Sequence, residues 1–158
     1  MMKLFSFLFV TTTALALLSH ASAVSPFAGT WLIQEIYDES MEQKSLPEGQ
    51  YTFAISQAED EEHLRLGIRV GNSMSSHITL LEEEEEEEES SSPSTIKQSV
   101  QVGGMMSTMM MPPDELFKLE VLLSDIVPQT KTMVLENENH TLTFLGEAGK
   151  IVCTSQED

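Results

Sequence analysis

Gly103-Gly104-Met105-Met106-Ser107-Thr108-Met109-Met110-Met111-Pro112-Pro113-Asp114-Glu115-Leu116-Phe117-Lys118-Leu119-Glu120-Val121-Leu122-Leu123-Ser124-Asp125-Ile126 carries a strand-like segment through a turn into a helix. Pro112 and Pro113 have no backbone N–H to donate and suit a turn or a first helical position. Asp114 and Glu115 then put negative charge where the helix dipole favours it. Leu116, Leu119, Leu123 and Ile126 recur at helical spacing, with Leu122 beside them, while Lys118, Glu120 and Asp125 take other faces. Pro128 ends the pattern. The spacing predicts one amphipathic helix with a buried leucine stripe. The methionine run before it is expected to fill space beneath that helix, since Met packs adaptably into irregular cores.

Working outward, the flanks read as strands. Phe27 to Ile36 mixes aromatic and branched residues, and Trp31 is expected to be a core or rim anchor that joins Leu116, Leu119, Leu123 and the strand methionines between helix and sheet. Asp38 to Gly49 is polar and punctuated by Pro47 and Gly49, as a loop would be. Tyr51, Phe53 and Ile55 alternate onto one face, and Leu64, Leu66 and Ile68 do the same beyond the acidic turn Glu59 to Glu62, which predicts a hairpin. Gly71-Asn72 interrupts the alternation. Ile78 to Leu81 is a short strand candidate, and Ile96 to Val102 is another. After the helix, Thr130–Leu135, Thr141–Leu145 and Ile151–Thr154 make a meander of three strands separated by turns.

Between Leu81 and Ile96 stand eight consecutive glutamates, Glu82 to Glu89, followed by Ser90-Ser91-Ser92-Pro93-Ser94. Adjacent like charges repel and bury nothing, so residues 82–94 read as a disordered, solvated insertion within the domain. Strands, one helix, then strands predict an α+β fold that is mainly antiparallel β: a small barrel-like sheet with one packed amphipathic helix.

The amino end has a basic residue, Lys3, an apolar run from Leu4 to Leu18, and the small-x-small sequence Ala21-Ser22-Ala23. This is the form of a secretory signal peptide, residues 1–23, with cleavage before Val24. The apolar run is shorter than the ~20 residues of a spanning helix, so no stable membrane insertion is expected after cleavage. A secreted, extracellular localisation follows as the expectation. Residues 24–158 are then one domain.

Net charge is -18, and removal of Lys3 would make it -19. Nucleic acid is excluded as a natural partner by repulsion from phosphate, and a basic protein partner is favoured. Cys153 is the single cysteine, so no internal disulfide can form, and it reads as a small buried hydrophobe in a strand.

Catalytic sets are missing from the sequence. His63, His77 and His140 fall at turns or strand ends, and no H-E-x-x-H pair, G-x-S-x-G elbow or glycine-rich phosphate loop occurs. A non-enzymatic protein without cofactor or metal is the expectation. Met105, Met106, Met109, Met110 and Met111 offer soft thioethers that suit Cu(I), yet no histidine or cysteine neighbours them, so packing is the favoured role. The glutamate tract lacks the spaced ligands and glycine of a defined calcium loop. Asn139-His140-Thr141 makes Asn139 a candidate N-glycosylation acceptor at a turn.

Gly29-Thr30-Trp31, Gly71-Asn72-Ser73-Met74 and Met106-Ser107-Thr108-Met109-Met110-Met111-Pro112, followed by the helix and by Asn139 to Phe144, occur in an order that resembles the META domain family. That family includes HslJ-like bacterial proteins and kinetoplastid Meta proteins, and the wording here is closer to the latter. The family-motif residues are Gly29, Trp31, Asn72, Met74, Ser107, Thr108 and Met110. Gly71 and Pro112 stand near positions where bacterial members often have cysteines, and the glutamate tract lies outside the family pattern. The resemblance implies a compact antiparallel domain with one helix, no catalytic residue, and a link to stress, secretion or virulence; protein binding is the expectation from the missing catalytic set and the negative charge. Phe27-Ala28-Gly29-Thr30-Trp31 also resembles the opening of lipocalins, which implies the alternative, a carrier of a small apolar ligand. A helix between the strands is expected to break the long meander such a carrier needs.

Overall fold

Strict alternation of apolar and polar residues dictates most of this molecule, because a strand exposes every second side chain to one face. A computed structural model describes residues 24–60, 62–82, 94–136, 138 and 140–156. The elements run β1 (Gly29–Asp38), a two-residue β2 (Gln43–Lys44), β3 (Thr52–Gln57), β4 (His63–Arg69), β5 (Ser73–Leu80), β6 (Thr95–Val102) and a two-residue β7 (Met106–Ser107). They continue with α1 (Asp114–Ile126), a 3-10 turn at Val127–Gln129, β8 (Thr130–Glu136), β9 (Thr141–Gly146) and β10 (Gly149–Ser155). The signal-peptide reading, most of the glutamate insertion and Asn139 lie outside the described residues.

Eight strands close into an antiparallel barrel. Neighbours follow the order β1, β3, β4, β5, β6, β8, β9, β10, and β10 pairs back with β1 from Trp31↔Ser155 to Asp38↔Gly149. Closure pairs each principal strand with a neighbour on both sides over at least part of its length, which removes the long open edges of a flat sheet. The register shift between Ile33 and Glu35 marks a bulge in β1, a device that bends a strand so that a sheet can curl. β2 pairs antiparallel with the end of β1, and β7 pairs with the start of β5.

The helix does not break the meander, contrary to the sequence expectation. It is inserted in the connection from β6 to β8, which remain antiparallel neighbours with Thr95 opposite Glu136 and Ser99 opposite Thr132. A helical insertion costs the barrel nothing when the strands on either side still meet. A second difference concerns β5, which begins at Ser73 rather than Ile78. Its inward residues are Met74, Ser76 and Ile78, and the serine conceals the alternation. Ser76 tolerates burial because its hydroxyl donates to the Gly103 carbonyl at 2.8 Å.

Register divides the barrel into two mouths. One gathers the Arg69–Ser73 corner, the Gly146–Gly149 corner, Asp38 and Thr130, and here α1 seats Leu119, Leu123 and Ile126 in the core. Each such side chain contributes about 1.5–3 kcal/mol on burial. Leu116 is only half-buried. Trp31 lies toward the other mouth, opposite Phe53 and Ser155, and so does not hold the helix. It is a core anchor nonetheless: it is buried, and its indole N–H donates to the Phe27 carbonyl at 2.9 Å.

A barrel of eight strands can be filled by side chains or hold one small ligand. Here Phe53, Leu64, Ile78, Met133, Leu142, Phe144 and Ile151 are all fully buried within one apolar cluster. Phe53 and Phe144 meet edge to face with ring centroids 5.0 Å apart. Cys153 belongs to the same cluster as a free thiol, and burial pushes its ionisation well above the ordinary range.

Candidate functional site

The corner between β4 and β5 is where the sequence's separate motifs meet. Gly71 sits so close to the segment preceding the helix that an added Cβ would overlap the Pro112 side chain and lie 3.1 Å from Glu120 Oε1. Only a hydrogen fits there. Next to it, Asn72 is buried, with 4% of its surface exposed, and Glu120 on α1 is 7% exposed. The Glu120 carboxylate accepts the Asn72 backbone N–H through Oε1 and the Asn72 side-chain amide through Oε2, the latter at 2.8 Å. Such paired, charge-assisted bonds are among the stronger polar contacts a protein makes.

Asn72 spends its remaining capacity on the methionine segment. Its Oδ1 accepts the Thr108 hydroxyl at 3.0 Å and the Met110 backbone N–H at 2.9 Å, and its Nδ2 also donates to the Met110 carbonyl at 3.2 Å. Thr108 is tied again from the strand side: its Oγ1 accepts the Ser73 N–H, and its own N–H donates to the Ser73 carbonyl, both at 3.1 Å. Ser107 stands opposite Met74 in the short β5–β7 ladder. Irregular backbone is thus held by a polar hub that is satisfied on every side.

The consequence is on the surface. Met106 and Met110 are largely exposed, Met109 and Met111 are fully exposed, and on the helix Phe117 and Val121 are exposed beside them. Met74, Met109, Met110, Met111, Phe117 and Val121 give the apolar part of a cleft of about 460 Å³. Asn72 and Glu120 form part of its wall. The expectation that this methionine run packs into the core therefore holds for Met105, which is partly buried against the core, and fails for Met106, Met109, Met110 and Met111. Asn72 takes the buried position and ties down Thr108 and Met110, so Met106, Met109, Met110 and Met111 are turned to solvent.

Of the residues singled out by sequence, Asn72, Met74, Ser107, Thr108 and Met110 come together here. Gly29 and Trp31 do not; they serve the far end of β1, where Gly29 adopts φ +148° beside the Trp31 indole. The structure corrects the sequence reading of Glu120, which sets it on a face other than the leucine stripe. A signal was present, since Glu120 follows Leu116 by four residues and precedes Leu123 by three, which puts it on the apolar stripe. Phe117 and Val121, spaced by four off that stripe, were the corresponding signal for an exposed apolar face.

A second cleft, of about 610 Å³, opens on the other side of α1 between Leu119 and Leu122 and the Lys44–Pro47 segment. Lys44 is fixed there by ion pairs with Asp38 and Glu42. Among the described residues, no group of three or more His, Cys, Asp or Glu side chains is arranged to hold a metal ion, and no helix is long and apolar enough to cross a membrane.

Fold and site together define an eight-stranded antiparallel barrel that presents an apolar, methionine-rich face beside α1. The architecture is similar to that of a protein from Burkholderia xenovorans solved by NMR, with a TM-score of 0.58 over 89% of this chain and 97% of that one. At 9% identity the likeness is one of fold. The sequence matches no protein-family model and no curated protein.

Proposed function

We propose that this chain is a secreted, non-enzymatic binding module of META type that engages a partner protein through the cleft formed by Met109, Met110, Met111, Phe117 and Val121. The observation that carries the reading is the outward thioether cluster on a pinned backbone. Monomeric soluble proteins rarely spend contiguous apolar surface on water without a use for it, and methionines suit adaptable contact surfaces. Pre-ordering of the loop lowers the entropic cost of association. The convergence of Asn72, Met74, Ser107, Thr108 and Met110 supports the META resemblance, because these residues build one unit in space. That resemblance brings with it a role in stress, secretion or virulence. The glutamate tract and the net charge of -18 would speed encounter with a basic partner.

One observation favours a second reading, a lipocalin-like carrier: the strands form an uninterrupted eight-stranded meander. Carriage requires space for most of a ligand, commonly about 300–1,000 Å³ of mainly apolar cavity. Burial of Phe53, Leu64, Met133 and Phe144 in one apolar cluster supports a filled interior over such a cavity. Native mass spectrometry of the secreted protein, combined with photo-crosslinking from a photoreactive methionine analogue at position 109, tests the choice. The module reading predicts a lipid-free chain and a crosslinked protein partner that is lost in M110S/M111S. A stoichiometric copurified lipid, displaced by a fluorescent fatty acid, would overturn it in favour of the carrier.

A further inference from the structure

The exposed stripe of α1 has a charge pattern that selects among partners. Phe117 and Val121 are one turn apart, Asp114 lies three residues before the first and Asp125 four after the second, so all four share one face. The two carboxylates are separated by about 16 Å along the helix axis. Lys118, the one basic residue of α1, faces the other cleft with Leu119 and Leu122. The apolar patch is therefore bracketed by acids and free of any base on its helical wall. Glu120, the remaining acid of that wall, is engaged by Asn72 and cannot serve as a contact without breaking the hub.

Resting on the docking reading above, we infer that the occupant of this cleft is a basic amphipathic helix, with apolar side chains on the Met109–Phe117–Val121 surface and cations at both ends meeting Asp114 and Asp125. A second copy of the chain is the poorer occupant, since two surfaces of the same strong negative charge repel. A helix in a groove supplies apolar anchors at three- and four-residue spacing, and its long cationic side chains reach flanking acids while their stems cover apolar surface. Methionine thioethers adapt to whatever anchors are offered, so charge at the rim supplies the discrimination.

The test uses the secreted chain and three labelled peptides of about 14 residues, roughly four helical turns, with one leucine face and Lys, Gln or Glu on the other. Fluorescence anisotropy should show saturable one-to-one binding of the Lys peptide and none of the Glu peptide. D114N/D125N should weaken the Lys peptide roughly three- to tenfold, as exposed ion pairs do. The same charge change at the far mouth, E59Q/E62Q, should alter it less than twofold. Equal losses in the two double variants, or equal binding of the Lys and Glu peptides, would overturn the inference. Tight binding of the Gln peptide that M109S/M111S abolishes, with no gain from Lys, would overturn the basic partner and leave the docking surface standing. Peptide binding that is indifferent to M109S/M111S would overturn both.

Discussion

Asn72 and Glu120 are 48 residues apart in sequence, yet the carboxylate of Glu120 takes both N–H donors that Asn72 turns toward the helix. Glu120→Ala should leave two buried donors without acceptors and cost about 2–4 kcal/mol. Glu120→Gln keeps one acceptor oxygen and should cost less. Chemical denaturation of the three proteins checks the order. An alanine variant as stable as the parent would place Glu120 in solvent and undo the hub.

Gly71 and Gly104 make a matched pair of tests. An added methyl at Gly71 meets Pro112 and Glu120, whereas one at Gly104 meets nothing within 4 Å. Gly71→Ala should destabilise by about 1–3 kcal/mol through overpacking. Gly104→Ala should be neutral, or stabilising by up to about 1 kcal/mol through a stiffer unfolded chain. Equal melting temperatures for the two variants would contradict the contact between the β4–β5 corner and the segment before the helix.

Much of the barrel was legible because alternation is a local signal. Tyr51, Phe53 and Ile55, then Leu64, Leu66 and Ile68, announce a hairpin without help from distant residues, and all six are buried as that reading requires. The helix was legible for the same reason: its prolines, acidic first turn and leucine spacing lie within one stretch, and α1 spans Asp114–Ile126. What stayed hidden depended on partners far away in sequence. Glu120 looks like any surface glutamate until Asn72 is placed beside it, and the methionines look like core until Asn72 takes the buried position and holds Thr108 and Met110 outside it. The start of β5 was masked differently, by a buried serine whose acceptor, the Gly103 carbonyl, is 27 residues away.

Methionine oxidation should follow exposure across the chain. Peroxide converts a thioether to a sulfoxide and is itself reduced to water, and access governs the rate. Met109 and Met111, fully exposed, should react first, Met106 and Met110 next, and Met74 and Met133 only on unfolding. Peptide mapping by mass spectrometry after graded peroxide treatment reads the order. Early oxidation of Met74 would mean that the β5–β7 ladder is open in solution.

Cys153 offers an internal clock for global unfolding. It is fully buried in β10, and desolvation keeps its thiol protonated far above neutral pH, where only the thiolate would be nucleophilic. Alkylation at pH 8 should be negligible in buffer and complete in denaturant, with a midpoint that coincides with loss of the folded signal. Rapid labelling of the native protein would show that the β1–β10 seam, which closes the barrel, separates readily.

Amide hydrogen exchange along Thr108 to Met111 tests the pinned loop most directly. The Thr108 N–H donates to the Ser73 carbonyl and the Met110 N–H to Asn72 Oδ1, while the amides of Met109 and Met111 find no partner among the described residues. The predicted pattern is slow, fast, slow, fast across four consecutive residues in a segment with almost no regular structure, and Asn72→Ala should bring Met110 up to the rate of Met109. Uniformly fast exchange from Thr108 to Met111 in the parent protein would show that Asn72 does not hold the segment, and with it would fall the claim that the methionine surface is pre-ordered for binding.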